Sequence, residues 1–129
     1  KPVIILAQDN PRLGAEFYEK LQEQHPKAHI VLCNTPKTTL EALEQHGQKV
    51  AMLITDDAMP FTGDGVKTAK HLRSGAMGRH LQTIPIVVAS GDPHFVEMNP
   101  PVMFMSVMAM ADGMIDRVIQ RYVFGEEWK

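Results

Sequence analysis

The stretch VAMLITDD, Val50 to Asp57, is followed by Met59-Pro60 and then Gly63-Asp64-Gly65. Its six leading residues are apolar or β-branched, and it ends abruptly in two carboxylates. Such a run reads as a buried strand that delivers an acid, Asp56, to its C-terminal tip. In open α/β sheets the carboxyl ends of the strands are where ligands bind. The rest of the chain is therefore read outward from Asp56.

Upstream, Val3 to Ala7 is a short β-branched run, read as a first strand. Asn10-Pro11 then opens a helix, with Asn10 as its cap and Pro11 in its first turn. Leu13, Phe17 and Leu21 give that helix one apolar face, and Pro26 ends it. His29 to Cys33 is a second strand. Thr35-Pro36 repeats the cap-then-proline signal, Leu40 and Leu43 form the buried face, and Gly47 stops the helix. Downstream of Val50–Thr55, the third strand, Val66, Ala69 and Leu72 mark a third helix that ends near Gly75. Pro85 to Ala89 is the fourth strand and Val102 to Val107 the fifth. Ala111 to Val123 is a last helix. Gly91 to Pro101 contains Pro93, Pro100 and Pro101. Proline is excluded from helix interiors, so at most one or two turns fit, around His94 to Met98.

Strands alternate with helices, and each strand is apolar on both faces. The expected architecture is a parallel sheet covered on both sides, an α/β class. Right-handed crossovers would then bring all five strand C-termini to one edge. Ala7-Gln8-Asp9, Asp56, Ala89-Ser90 and Val107-Met108 should meet there. Asp9 and Asp56 would lie side by side. Two close carboxylates repel, and a cation between them relieves this. Mg²⁺ suits the site as a hard ion that takes oxygen ligands from few carboxylates. Ser90 is placed to hydrogen-bond an anion at Asp56.

Composition bounds the function. At 129 residues, 44% hydrophobic and 22% charged, the chain is read as one globular domain over 1–129. It starts almost directly on a strand, which fits a piece of a longer protein. A net charge of −2, without a basic stripe, gives no reason to expect a nucleic-acid partner. No apolar run approaches the roughly 18 residues of a membrane span, and no signal-peptide pattern opens the chain. Cys33 is the single cysteine, which excludes an internal disulfide and fits the cytoplasm. No Walker or dinucleotide glycine motif is present, so nucleotide binding is not expected.

With these residues in place, the whole chain resembles a response-regulator receiver domain, the phosphoacceptor module of two-component signalling. The resemblance rests on Asp9 after the first strand, on Asp56 four residues before Pro60 in DDAMP, on the following GDG, and on Ser90-Gly91 after IPIVVA. It implies a flavodoxin-like (βα)5 fold with strand order 2-1-3-4-5, here with a short or degenerate fourth helix. It implies Asp56 as the phosphoacceptor. Asp9, Asp56 and the backbone carbonyl of Ala58 would be the Mg²⁺ ligands, and Ser90 the switch hydroxyl. The implied partners are a sensor histidine kinase or phosphotransfer protein, with an output domain or a homodimer downstream.

Three departures from the family pattern stand out. The usual acidic pair reads Gln8-Asp9, so Mg²⁺ should bind more weakly. The family's lysine after strand five is missing; the aligned stretch is Ser106-Val107-Met108-Ala109. The aromatic switch position near Met105 is not aromatic, and the adjacent Phe104 should point to the opposite face. Gln8, the missing lysine and the truncated fourth helix favour a second reading, a phosphorylation-independent pseudo-receiver that serves as an interaction or dimerisation module. A third, a flavodoxin-like phosphate hydrolase using Asp9 and Asp56, lacks a visible general acid, lid or gripping cation. The chain is therefore read as a non-enzyme.

Among other residues, Asp57 is read as a loop residue and Asp64 as a turn or helix cap. Cys33 is read as a buried small hydrophobe. Six of the nine methionines fall between Met98 and Met114, read as core packing or as an adaptable partner surface. The histidines show no ligand spacing, and Trp128 is placed in a frayed tail.

Overall fold

The computed structural model describes residues 1–91 and 96–126. A five-stranded parallel sheet carries the strands in the order β2-β1-β3-β4-β5. These are β1 (Val3–Ala7), β2 (His29–Cys33), β3 (Val50–Asp56), β4 (Ile86–Ala89) and β5 (Met103–Met105). The flavodoxin-like α/β architecture and its strand order are as the sequence and the resemblance imply.

The helices begin and end for local reasons. α1 (Pro11–Gln24) starts at Asn10, whose side chain accepts the Leu13 N–H, with Pro11 where no N–H is needed. α2 (Pro36–His46) starts with a reciprocal cap between Thr35 and Thr38 and stops at Gly47, which sits at φ +48°. α3 spans Asp64–Arg73. A short helix α4 (Arg79–Thr83), which the periodicity does not show, precedes β4.

Because side chains alternate along a strand, the sheet makes two cores. Val3, Ile5, Leu53, Ile86 and Val88 face α2, α3 and α4 through Leu43, Ala69, Leu72 and Leu81. Ile4, Leu6, Ile54, Val87 and Met105 face α1 and the C-terminal helices through Phe17, Leu21, Ile115 and Ile119. Phe104 and Met105 take opposite faces, as alternation requires.

Two boundaries differ from expectation. β5 ends at Met105 rather than Val107, because Ser106 caps a helix: its side chain accepts the Ala109 N–H at 3.0 Å. The resulting α5 (Val107–Ala111) is separate from α6 (Met114–Tyr122). Gly113, at φ +90°, turns the chain between them, so the last helix, expected over Ala111–Val123, starts at Met114, and α5 precedes it as an element not expected from the sequence. The turns expected around His94 to Met98 lie partly outside the described residues. Val96, Glu97 and Met98, which are described, are not helical. Trp128 also lies outside.

One buried charge ties the sheet's N-terminal side. Arg73, at the end of α3, donates from Nε to the Pro100 carbonyl at 2.8 Å. Its Nη1 reaches the carbonyls of Gln82 and Ile84 at 2.9 and 2.8 Å. It thus fixes the segments entering β4 and β5. Burial lowers its pKa.

Candidate functional site

The C-terminal ends of the strands meet as expected. Ala7 pairs with Thr55 across β1 and β3, Asp56 with Ala89 across β3 and β4, and Ala89 with Met105 across β4 and β5. Residues 8 and 9, Asp56 and Ser90 therefore stand along one edge. Ser90 is buried, and its backbone N–H donates to the Met105 carbonyl at 3.0 Å.

Asp56 is half-buried at the tip of β3, and its pKa is raised to about 6. Burial is the main cause, and the negative charge of Asp9 is the next. The neighbouring Asp57 backbone N–H and Gln8 side chain pull the other way; between them in size, the Asp57 charge raises it again. The two carboxylates singled out in the sequence are thus electrostatically coupled. Among the described residues no hydrogen-bond donor reaches the Ala58 carbonyl. No group of three or more His, Cys, Asp or Glu side chains is arranged to hold a metal ion among those residues. The strand-tip edge instead offers two carboxylates, Asp9 and Asp56, beside the Gln8 amide. The donor set of Asp9, Asp56 and a free carbonyl oxygen fits a hard cation that keeps several waters.

Asp57 is not the plain loop residue expected. It is 3% exposed, and its carboxylate accepts the Gly63 and Val66 N–H groups, each at 3.2 Å. It satisfies the open N-terminus of α3 and anchors that helix to the end of β3. Its backbone N–H donates to the Ala89 carbonyl at 2.8 Å. With the Asp57 side chain committed to α3, Asp56 is the carboxylate left beside Asp9 at the strand-tip edge. Asp64 behaves as read: its carboxylate accepts the Phe61 N–H at 3.0 Å and sits in the first turn of α3.

Gly65 explains the GDG. A Cβ there would lie 2.5 Å from the Asp56 carbonyl oxygen and 2.8 Å from the Asp57 Cα. Only glycine lets α3 approach the acidic loop this closely. At the far side, the Ser106–Ala109 stretch forms the start of α5 and contains no cation. Met108 is 78% exposed there, and Phe61 is 73% exposed in the β3–α3 connection.

No protein-family model matches the sequence, and no curated protein matches it. Solved structures do match. A sensor protein from Polaromonas sp. JS666 superimposes with a TM-score of 0.76 at 17% identity, covering 97% of this chain and 98% of that one. The receiver domain of a sensor histidine kinase from Pseudomonas aeruginosa PAO1, with magnesium coordinated in its active-site cleft, gives 0.73 at 16%, covering 95% and 98%. A response regulator from Hahella chejuensis gives 0.71 at 15%, covering both chains completely. The chain has the fold of response-regulator receiver domains. Among the described residues, no helix is long and apolar enough to cross a membrane.

Proposed function

We propose that this chain is a receiver domain in which Asp56 accepts a phosphoryl group from a sensor histidine kinase or a phosphotransfer protein. The observation that carries this reading is Asp56 itself: a half-buried carboxylate at the tip of β3, coupled to Asp9, on the receiver fold. In the transfer, an Asp56 carboxylate oxygen attacks phosphorus in line as the bond to the donor's histidine nitrogen breaks. The electron pair returns to the imidazole. Asp56 must be deprotonated for this, and the neighbouring Asp57 N–H and Gln8 amide favour that form. Asp9, Asp56 and the Ala58 carbonyl would hold Mg²⁺, which when bound offsets the charge on the phosphoryl oxygens. Ser90 would follow the phosphoryl group as the switch hydroxyl. The domain is not an enzyme; it works in the cytoplasm and passes its state to an output domain or to a second copy.

The pseudo-receiver reading is favoured by two particular observations. Gln8 replaces a carboxylate, and α5 begins where a cation would be needed. A Mg²⁺ titration separates the two. The phosphoacceptor reading expects saturable binding to the wild type that is lost in Asp9→Ala. Absence of binding in the folded wild type would favour the pseudo-receiver.

A further inference from the structure

Gln8 is a long polar side chain, yet it is only 6% exposed, just past the end of β1. Its placement is tightly determined. Its Oε1 accepts the Asn10 N–H at 3.1 Å, inside the turn that starts α1. Its backbone N–H donates to the Cys33 carbonyl at 2.9 Å. Gly14 of α1 packs against it so closely that a Cβ there would touch the Gln8 Cβ and Cγ at 3.5 Å.

A primary amide has one acceptor oxygen and one NH₂ group with two hydrogens. With the oxygen turned to Asn10, the NH₂ points the other way. The register Ala7 opposite Thr55 makes Asp56 the next neighbour across the sheet. No buried side-chain nitrogen or oxygen among the described residues lacks a hydrogen-bond partner. On that side the Gln8 amide faces the Asp56 carboxyl and lowers its pKa, as a donor would. The orientation is not free to reverse, because the flipped amide would set its NH₂ against the Asn10 N–H and its oxygen against a carboxylate.

On the opposite side of Asp56, the Ser106–Met110 backbone coils into α5, and those five residues carry no Lys or Arg. The Ser106 side chain is engaged by the Ala109 N–H. We propose that Gln8 is the donor that grips the phosphoryl group on Asp56. It would do so from the β1 side, with one N–H kept for Asp56 and the other turned to a phosphoryl oxygen. Gln8 is thus more than a lost metal ligand; it supplies a neutral donor in a site whose β5 side offers no cation.

This inference rests on the phosphoacceptor reading of Asp56, and one experiment separates the two. Beryllofluoride, a phosphoryl mimic, is titrated at saturating Mg²⁺ into the wild type and into Gln8→Met, which keeps the length and removes the donor. A hydrogen bond to a charged oxygen is worth a factor of about ten or more in affinity, so Gln8→Met should bind about tenfold more weakly. Equal affinity overturns the role of Gln8 and leaves Asp56 as the acceptor. Failure of the wild type to bind overturns the Asp56 reading, and the Gln8 role with it. If Gln8→Met does not fold, the wild type decides. Its Gln8 side-chain NH₂ resonances should shift on saturation with beryllofluoride, and unmoved resonances contradict the proposal.

Discussion

Asp56 is pressed by burial and by the Asp9 charge, and both favour its protonated form. Its folded value, about 6, exceeds the ordinary 3.8. Between these values the native state holds the proton more tightly than the unfolded chain. The stability that this group contributes is therefore fully present below about pH 4 and is lost as pH rises from about 4 through about 6. Solvent screening of this half-buried group reduces the full effect to about 1–2 kcal/mol. Urea unfolding in chelator-containing buffer should show wild type losing that much relative to Asp56→Asn between about pH 4 and pH 6.5; parallel pH profiles would contradict it. Asp57 acts differently, through two N–H groups of α3. Asp57→Ala leaves both without their acceptor and should cost about 1–3 kcal/mol in chemical denaturation. Asp56 was legible because a strand tip followed by Met-Pro and GDG marks it. Asp57 was not, since its partners lie six and nine residues away and no local capping pattern reaches that far.

At the scale of elements, the caps written as Asn10-Pro11 and Thr35-Pro36 were legible because capping is a local hydrogen bond. The break between α5 and α6 was not. Val107 reads as the end of the fifth strand, and the five residues that Ser106 caps into α5 are too few to show a helical period before Gly113 turns the chain into α6. Two elements depend on single residues in ways that can be measured. Gly65→Ala puts a carbon 2.5 Å from the Asp56 carbonyl oxygen. It should destabilise the fold by about 2 kcal/mol or more and push α3 away from the acidic loop. An unchanged unfolding midpoint would show that the loop yields freely. Arg73→Met removes the guanidinium that ties the entries to β4 and β5. A loss of about 3 kcal/mol is expected. Mg²⁺ affinity should be retained, because those carbonyls lie at the sheet edge away from Asp56. A matching fall in Mg²⁺ affinity would mean the two edges are coupled.

Across the whole molecule, five strands and their order bring Asp9, Asp56 and Ser90 to one edge although they are distant in the chain. That gathering was legible from the alternation of strands and helices; the order itself came from the resemblance. What the pattern could not show is the detailed filling of the site: Gln8 buried with its oxygen on the Asn10 N–H, Asp57 turned to α3, and α5 where a cation is absent. Each depends on side-chain direction, which spacing does not encode. The proposed role of this edge is a working phosphoacceptor site with an unusual donor. Incubation with acetyl phosphate and Mg²⁺ followed by intact-mass measurement tests that most directly, with Asp56→Asn as the control. One phosphoryl increment is expected on the wild type and none on the variant. A folded wild type that gains no mass, or a variant that gains the same mass, would contradict it.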